Sequence, residues 1–215
     1  MLPFTVPPRS ALLVVDMQYD FMPGGALAVA GGDEIIEPVN ECIRTFYSQD
    51  ARVVLTQDWH PKAHASFASS HPRKKPYDPV ENIAGIEPIL WPDHCIQGSK
   101  GAMIHERVDT VHSHLLLRKG YRPSIDSYSA FVENDKSTRT GLAGYLKENN
   151  ILRIFICGLA FDYCVYYSAI DALRAGFEPV VFTDLTRAVN FPEGRHDIVK
   201  TELEEVGCEI RRFKV

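Results

Sequence analysis

Phe155 to Gly176 reads FICGLAFDYCVYYSAIDALRAG. It begins as a short apolar run and passes through a tight Gly-Leu-Ala turn into a helical pattern. Val165, Ala169, Ala172 and Leu173 form one stripe, and Gly176 stands where a C-terminal glycine closes a helix. A buried strand feeding a helix across so short a turn is the repeating unit of a parallel α/β sheet. Asp162 is suited to cap that helix, and Cys164 falls in its first turn. Two readings of this thiol stay open on the window alone. Cysteine is a small, commonly buried residue, but a helix N-terminus also stabilises a thiolate and so suits a nucleophile.

Similar apolar runs recur on either side: SALLVVD (10–16), RVVLTQ (52–57), HLLLRK (114–119), ILRIFIC (151–157), PVVFTD (179–184) and CEIRRF (208–213). Most read as strands buried on both faces. Helical patterns lie between them at 33–48, 138–149, 162–175 and 193–206. In the first, Ile36, Val39, Ile43, Phe46 and Tyr47 share a face, and Pro38 predicts a start a few residues late. Strands alternating with helices imply right-handed crossovers and a sheet covered on both sides, a three-layer α/β fold. At 215 residues the chain reads as one domain, 1–215. Residues 58–113 break the pattern: they hold six prolines and little periodicity. A loop that long inside a compact domain is usually functional.

Composition narrows the classes. With 28 acidic against 23 basic residues the formal charge is -5, and the basic residues are scattered. That gives no electrostatic footprint for nucleic acid; Arg73–Lys75 reads as a solvated loop. No apolar run approaches a membrane span, and MLPFTVPPRS lacks the basic and apolar regions of a secretory signal. The five cysteines are odd in number and widely spaced, so a reducing, cytoplasmic setting with free thiols is expected.

In an open α/β sheet, ligands bind beyond the carboxyl ends of the strands. The first run ends in Asp16, the third in Lys119, and the fourth leads to Cys164. Each alone has an ordinary explanation, a loop acid, a snorkelling lysine or a buried thiol. Together they supply a base, a cation to hold a thiolate, and a nucleophile. Free N–H groups in the turn before Cys164 could serve an oxyanion. The second run leads into TQDWHPKAHASF, where Asp58 and His60 are two apart and project to one side. His64 follows, and WPDHCIQGSKGA adds His94. One carboxylate with two or three imidazoles suits a divalent transition metal such as Zn²⁺, with Fe, Mn or Co open. The remaining histidines, His71, His105, His112, His114 and His196, read as surface or structural residues.

LLVVDMQYDFMPGGALAV (12–29), TQDWHPKAHASF (56–67), WPDHCIQGSKGA (91–102), RKGYRPSIDSYSAF (118–131) and ICGLAFDYCVYYSAIDALRAGF (156–177) together resemble the nicotinamidases, among the isochorismatase-like cysteine hydrolases. The resemblance covers about residues 10 to 190. It implies a Rossmann-like fold with a six-stranded, mainly parallel sheet between helices. It implies hydrolysis of nicotinamide to nicotinate and ammonia in NAD salvage, with one metal per chain and no organic cofactor. By matching position, Asp16 is the general base, Lys119 supports the thiolate and Cys164 is the nucleophile. Asp58, His60 and His94 match metal ligands; His64 aligns with a fourth ligand found in some members and replaced by water in others. Phe21, Trp91 and Tyr128 match the aromatic walls of the ring pocket. A cis peptide at Leu159–Ala160 is implied, aiming the N–H groups of Ala160 and Cys164 at the oxyanion. Tyr163, where some bacterial members carry His, and a long 66–90 loop look more like the eukaryotic branch.

Other readings stay open on sequence alone. Another amidase or carbamoyl hydrolase of the superfamily would share Asp16, Lys119 and Cys164 without needing the metal. A silent metal-binding or interaction domain would need none of the three. Isochorismate cleavage generally proceeds in this fold without the cysteine, so Cys164 speaks against it. A homo-oligomer is open too.

Overall fold

All six apolar runs become strands of one parallel sheet in the computed structural model, which describes residues 4–81, 83–86 and 88–213. The strands are β1 (Ser10–Val15), β2 (Arg52–Asp58), β3 (Leu115–Lys119), β4 (Arg153–Leu159), β5 (Glu178–Arg187) and β6 (Glu209–Arg211). Their spatial order is β3-β2-β1-β4-β5-β6, with every neighbouring pair parallel. The chain moves outward from β1 to β3, returns beside β1 as β4, and moves outward the other way. Right-handed crossovers then place α1 (Ile36–Tyr47) on one face and α3 (Tyr166–Arg174) on the other. α2 (Leu142–Glu148) and α4 (Arg195–Glu205) complete the helices.

Burial follows this order. Every residue of β1 is buried, as a central strand requires. β3 and β6 lie at the two edges, and there the expectation of burial on both faces fails: Leu116 is 47% exposed despite its place in a Leu-Leu-Leu run. On α1, Ile36, Val39, Ile43 and Phe46 face the core as expected, each worth about 1.5–3 kcal/mol of burial. Tyr47 does not; it is half-exposed and rests on the rings of His112 and His114. Pro38 lies in the first turn, where its missing N–H costs nothing. α2 begins four residues later than the 138–149 pattern. Thr138 is bonded to Asp135, and Thr140 to the backbone of Ala130 and Phe131, so those residues are committed elsewhere.

The 59–114 segment is not structureless. Tyr77 N–H donates to Leu90 O at 2.6 Å, and Leu90 N–H to Asp78 O at 3.0 Å, so residues 77–90 double back on themselves. His60 and Phe67 form isolated bridges with Ile96 and Trp91, tying the segment to itself beside the end of β2. Among the described residues, no helix is long and apolar enough to cross a membrane.

One glycine sets how closely β1 and β4 can approach. Gly158 has φ +101°, and a Cβ there would lie 2.7 Å from the backbone N of Val15 on the neighbouring strand. Gly158→Ala is therefore expected to cost more than about 2 kcal/mol, because neither the backbone angle nor the facing strand can yield cheaply. Urea unfolding measures this; a variant as stable as wild type would contradict the account.

Candidate active site and metal centre

The sheet order places four chemically capable side chains in a row. Lys119 ends β3, Asp58 ends β2, Asp16 follows β1 and Cys164 follows β4. Asp58 and Lys119 are register partners. Lys119 Nζ donates to Ser127 O at 2.9 Å and to Asp58 Oδ1, forms an ion pair with Asp16 Oδ2 at 2.8 Å, and lies 3.4 Å from Cys164 Sγ. Ligand atoms of Asp16, Asp58 and Cys164 all lie within 4.8 Å of one another. The three residues read from separate strand ends do converge. Asp16 has φ +47°, a conformation aspartate tolerates. Thr56 holds it: the hydroxyl donates to Asp16 Oδ1 at 2.6 Å and accepts the Asp16 N–H at 3.1 Å.

Burial governs the proton affinities. It pushes the Asp16 carboxyl above its ordinary value, and Lys119 offsets only part of that. It pushes the Cys164 thiol well above its ordinary value too, against the pull of Lys119. Burial alone would raise Asp58, but Lys119, His60 and His94 outweigh it and hold Asp58 well below the usual carboxylate range. Burial disfavours the Lys119 ammonium, yet Asp16 and Asp58 outweigh it and raise its pKa well above the ordinary value. The thiol thus rests protonated beside a carboxylate of enhanced basicity, and a nucleophilic sulfur here would need such a base.

Cys164 sits in a turn of π-helix, Phe161–Val165, that runs into α3. The Leu159–Ala160 peptide is cis. Ala160 O accepts the N–H groups of Tyr163 and Val165, on either side of Cys164, each at 3.1 Å. Asp162 does not cap its helix. Its carboxylate instead accepts Val189 N–H at 2.9 Å and Asn190 N–H at 2.7 Å, so the segment after β5 outcompetes the local cap.

Asp58 faces two ways. Oδ1 meets Lys119, while Oδ2 lies 3.6 Å from His60 Nε2 and 4.0 Å from His94 Nε2. The other ring nitrogens are tied back, His60 Nδ1 to Gly120 O and His94 Nδ1 to Pro92 O, both at 2.8 Å. Such bonds fix the tautomer and leave Nε2 lone pairs for an ion. Gly120 makes room: a Cβ there would lie 2.8 Å from His60 Nδ1. Burial lowers His94 to about 4, so its ring is neutral at pH 7. Asp58 outweighs burial at His60 and raises it. Ligands about 2.1 Å from a tetrahedral zinc lie about 3.4 Å apart, close to the spacing found here. The donor set fits a divalent transition metal.

His64 joins a different set, with His60 and Asp126. Its Nδ1 accepts the Ser66 N–H, so the proton sits on Nε2 and is given to Ile125 O at 3.2 Å. No lone pair remains for an ion in this arrangement.

A pocket opens above Cys164, lined by Phe21, Trp91 and Tyr128 on its walls and by Asp58, His60 and His94 at one end. Trp91 Nε1–H donates to Tyr128 Oη at 2.7 Å, locking the two rings. Asp126, Tyr163, Leu27 and Val189 also line it, and sequence reasoning assigned none of them a wall or site role. Tyr163 packs edge-on against Trp91 and bonds Phe191 O at 2.6 Å. All five cysteines are free and buried.

Comparison with known proteins agrees with this geometry. The isochorismatase domain model matches residues 10–212. A nicotinamidase of Acinetobacter baylyi is 48% identical over 180 residues, covering 84% of this chain and 82% of that protein. A solved nicotinamidase/pyrazinamidase of Acinetobacter baumannii superposes with a TM-score of 0.92 at 41% identity, over 97% of this chain and 98% of that one. A pyrazinamidase of Pyrococcus horikoshii, solved in complex with zinc, gives 0.78 at 36% identity, over 95% and 99%. With the sheet order, the convergent triad and these likenesses together, the chain belongs to the isochorismatase family and, within it, to the nicotinamidases.

Proposed function

We propose that the chain, acting as one hydrolase domain, converts nicotinamide to nicotinate and ammonia through a thioester on Cys164. One divalent transition metal, zinc before iron or manganese, would be held by Asp58, His60 and His94. The observation that carries this reading is the buried ammonium of Lys119 in contact with Asp16, Asp58 and the Cys164 sulfur. Asp16 takes the thiol proton, and Lys119 holds the resulting thiolate. Sulfur attacks the carboxamide carbon. The N–H groups of Ala160 and Cys164 receive the oxyanion, where one such donor is typically worth about 3 kcal/mol. The C–N bond then breaks as Asp16 returns its proton to the departing ammonia. Asp16 next draws a proton from water, which cleaves the thioester, frees nicotinate and restores the thiol. A bound ion would ligate the pyridine nitrogen and so orient the ring, a template role that leaves the proton transfers to Asp16. Free buried thiols support a cytosolic setting.

Ammonia release from nicotinamide by purified protein, with elemental analysis of the same sample, tests the reading. Stripping the ion with a chelator should lower kcat/KM by about 100-fold, the cost of a misplaced substrate, and zinc should restore it. Cys164 should still be alkylated after stripping. No ammonia from the loaded protein would refute the activity, and unaltered turnover after stripping would refute the metal's part.

A further inference from the structure

Asp126 is a buried carboxylate that faces the pocket and has no part in the chemistry above. It is 2% exposed. Its backbone is fixed at both ends, N–H to Gly85 O at 2.9 Å and C=O from Asn134 N–H at 2.8 Å. One side-chain oxygen, Oδ1, accepts the Ser127 N–H at 2.8 Å. No lysine or arginine among the described residues forms an ion pair with it. A buried carboxylate without a cation is costly, and the cost falls when a cation binds beside it. Asp126 lies within ligand reach of His60 and His64, their polar atoms being within 4.8 Å of one another.

His60 belongs to this set and to the Asp58–His94 set alike. Its Nδ1 is committed to Gly120 O, so one nitrogen, Nε2, is left for an ion. The two sets therefore cannot be two metal sites. An ion held by Asp58, His60 and His94 would have Asp126 close by.

Charge gives the second carboxylate a task. Asp16, Asp58 and Asp126 against Lys119 leave two negative charges when all are ionised, which a divalent ion cancels. Without Asp126 the loaded site would carry one positive charge. A neutral carboxamide would feel little of it, but a carboxylate product would be held. We infer that Asp126 is a positioning residue of the metal end: it helps retain the divalent ion and keeps the loaded pocket neutral, so that an anionic pyridine carboxylate leaves readily. The product half rests on the nicotinamidase reading; the metal half does not.

The test is Asp126→Asn, which preserves the acceptor for Ser127 N–H. Zinc affinity, read by competition with a chromogenic chelator and without turnover, should fall about 10–100-fold. Nicotinate should bind the zinc-saturated variant about tenfold tighter than wild type, while nicotinamide binding shifts less than threefold. Asp126→Glu should keep zinc affinity within about threefold of wild type, and this comparison stands even where the asparagine variant folds poorly. Unchanged zinc affinity in Asp126→Asn, or a loss in Asp126→Glu as large as that expected of the asparagine variant, would overturn the metal half. Unchanged nicotinate affinity, or equal tightening of nicotinate and nicotinamide, would overturn the charge-balance half. Absence of ammonia release would count against the activity and leave the zinc result readable.

Discussion

Cys164→Ala should lose nicotinamide turnover by about 10⁴- to 10⁶-fold, the range seen when a covalent nucleophile is deleted. The loss should fall on kcat rather than on substrate affinity. The sulfur lines the floor of the pocket, whereas the ring would be gripped by Phe21, Trp91 and Tyr128 and by the metal end. None of those contacts passes through Sγ. Nicotinate binding by calorimetry should therefore stay within a few-fold of wild type. Stability should change little, because Cys164 is small and its thiol makes only a long contact to Lys119 and an interaction with Asp16.

The alternative substitution, Cys164→Ser, separates two explanations for the loss. An alcohol gives up its proton far less readily than a thiol, so Asp16 would no longer suffice as base, even with its affinity raised by burial. Serine should be nearly as inactive as alanine although it restores a nucleophilic atom. Ammonia release at more than about one-hundredth of the wild-type rate in Cys164→Ala would end the thioester mechanism.

Local patterns revealed more of the site than of its surroundings. Asp16, Lys119 and Cys164 were legible because parallel strands share one carboxyl side, and each apolar run there ended in, or led through a short turn to, a residue able to react. Their mutual contact followed from that shared side. The contact between Lys119 and Asp58 did not, since it depends on β2 lying between β1 and β3, and sheet order is not a local property. The same non-local cause exposes Leu116 on an edge strand whose sequence reads as buried. Asp162 shows competition between levels. Its position suits a cap, but the backbone of Val189 and Asn190 arrives from the far end of β5 and takes both oxygens. Asp126 carried no signal of its own within SIDSYS, because an aspartate among serines reads as a loop until folding brings His60 and His64 beside it.

Lys119→Met is the most disruptive single change expected for the buried cluster. It should abolish turnover and cost about 3–5 kcal/mol, because two buried carboxylates lose their shared cation. The loss should depend on pH, with a definite sign. In the wild type, Lys119 is the strongest influence holding Asp58 below the usual carboxylate range. Asp58 therefore contributes stability above its unfolded value near 4, and that contribution is lost only in stronger acid. In the variant, burial acts unopposed by Lys119 on Asp16 and Asp58, and each repels the other. Asp16, already raised by burial, rises further, and Asp58 keeps only the lowering influence of His60 and His94, so the variant loses stability as pH rises through the raised Asp16 value. The gap between wild type and variant should be smallest near pH 5 and widest near pH 7.5. Urea unfolding of chelator-treated proteins at both values measures it, and a gap independent of pH would show that packing, not charge, makes Lys119 necessary. Zinc should recover more stability in the variant than in the wild type, because a dication bound beside Asp58 replaces part of the missing ammonium.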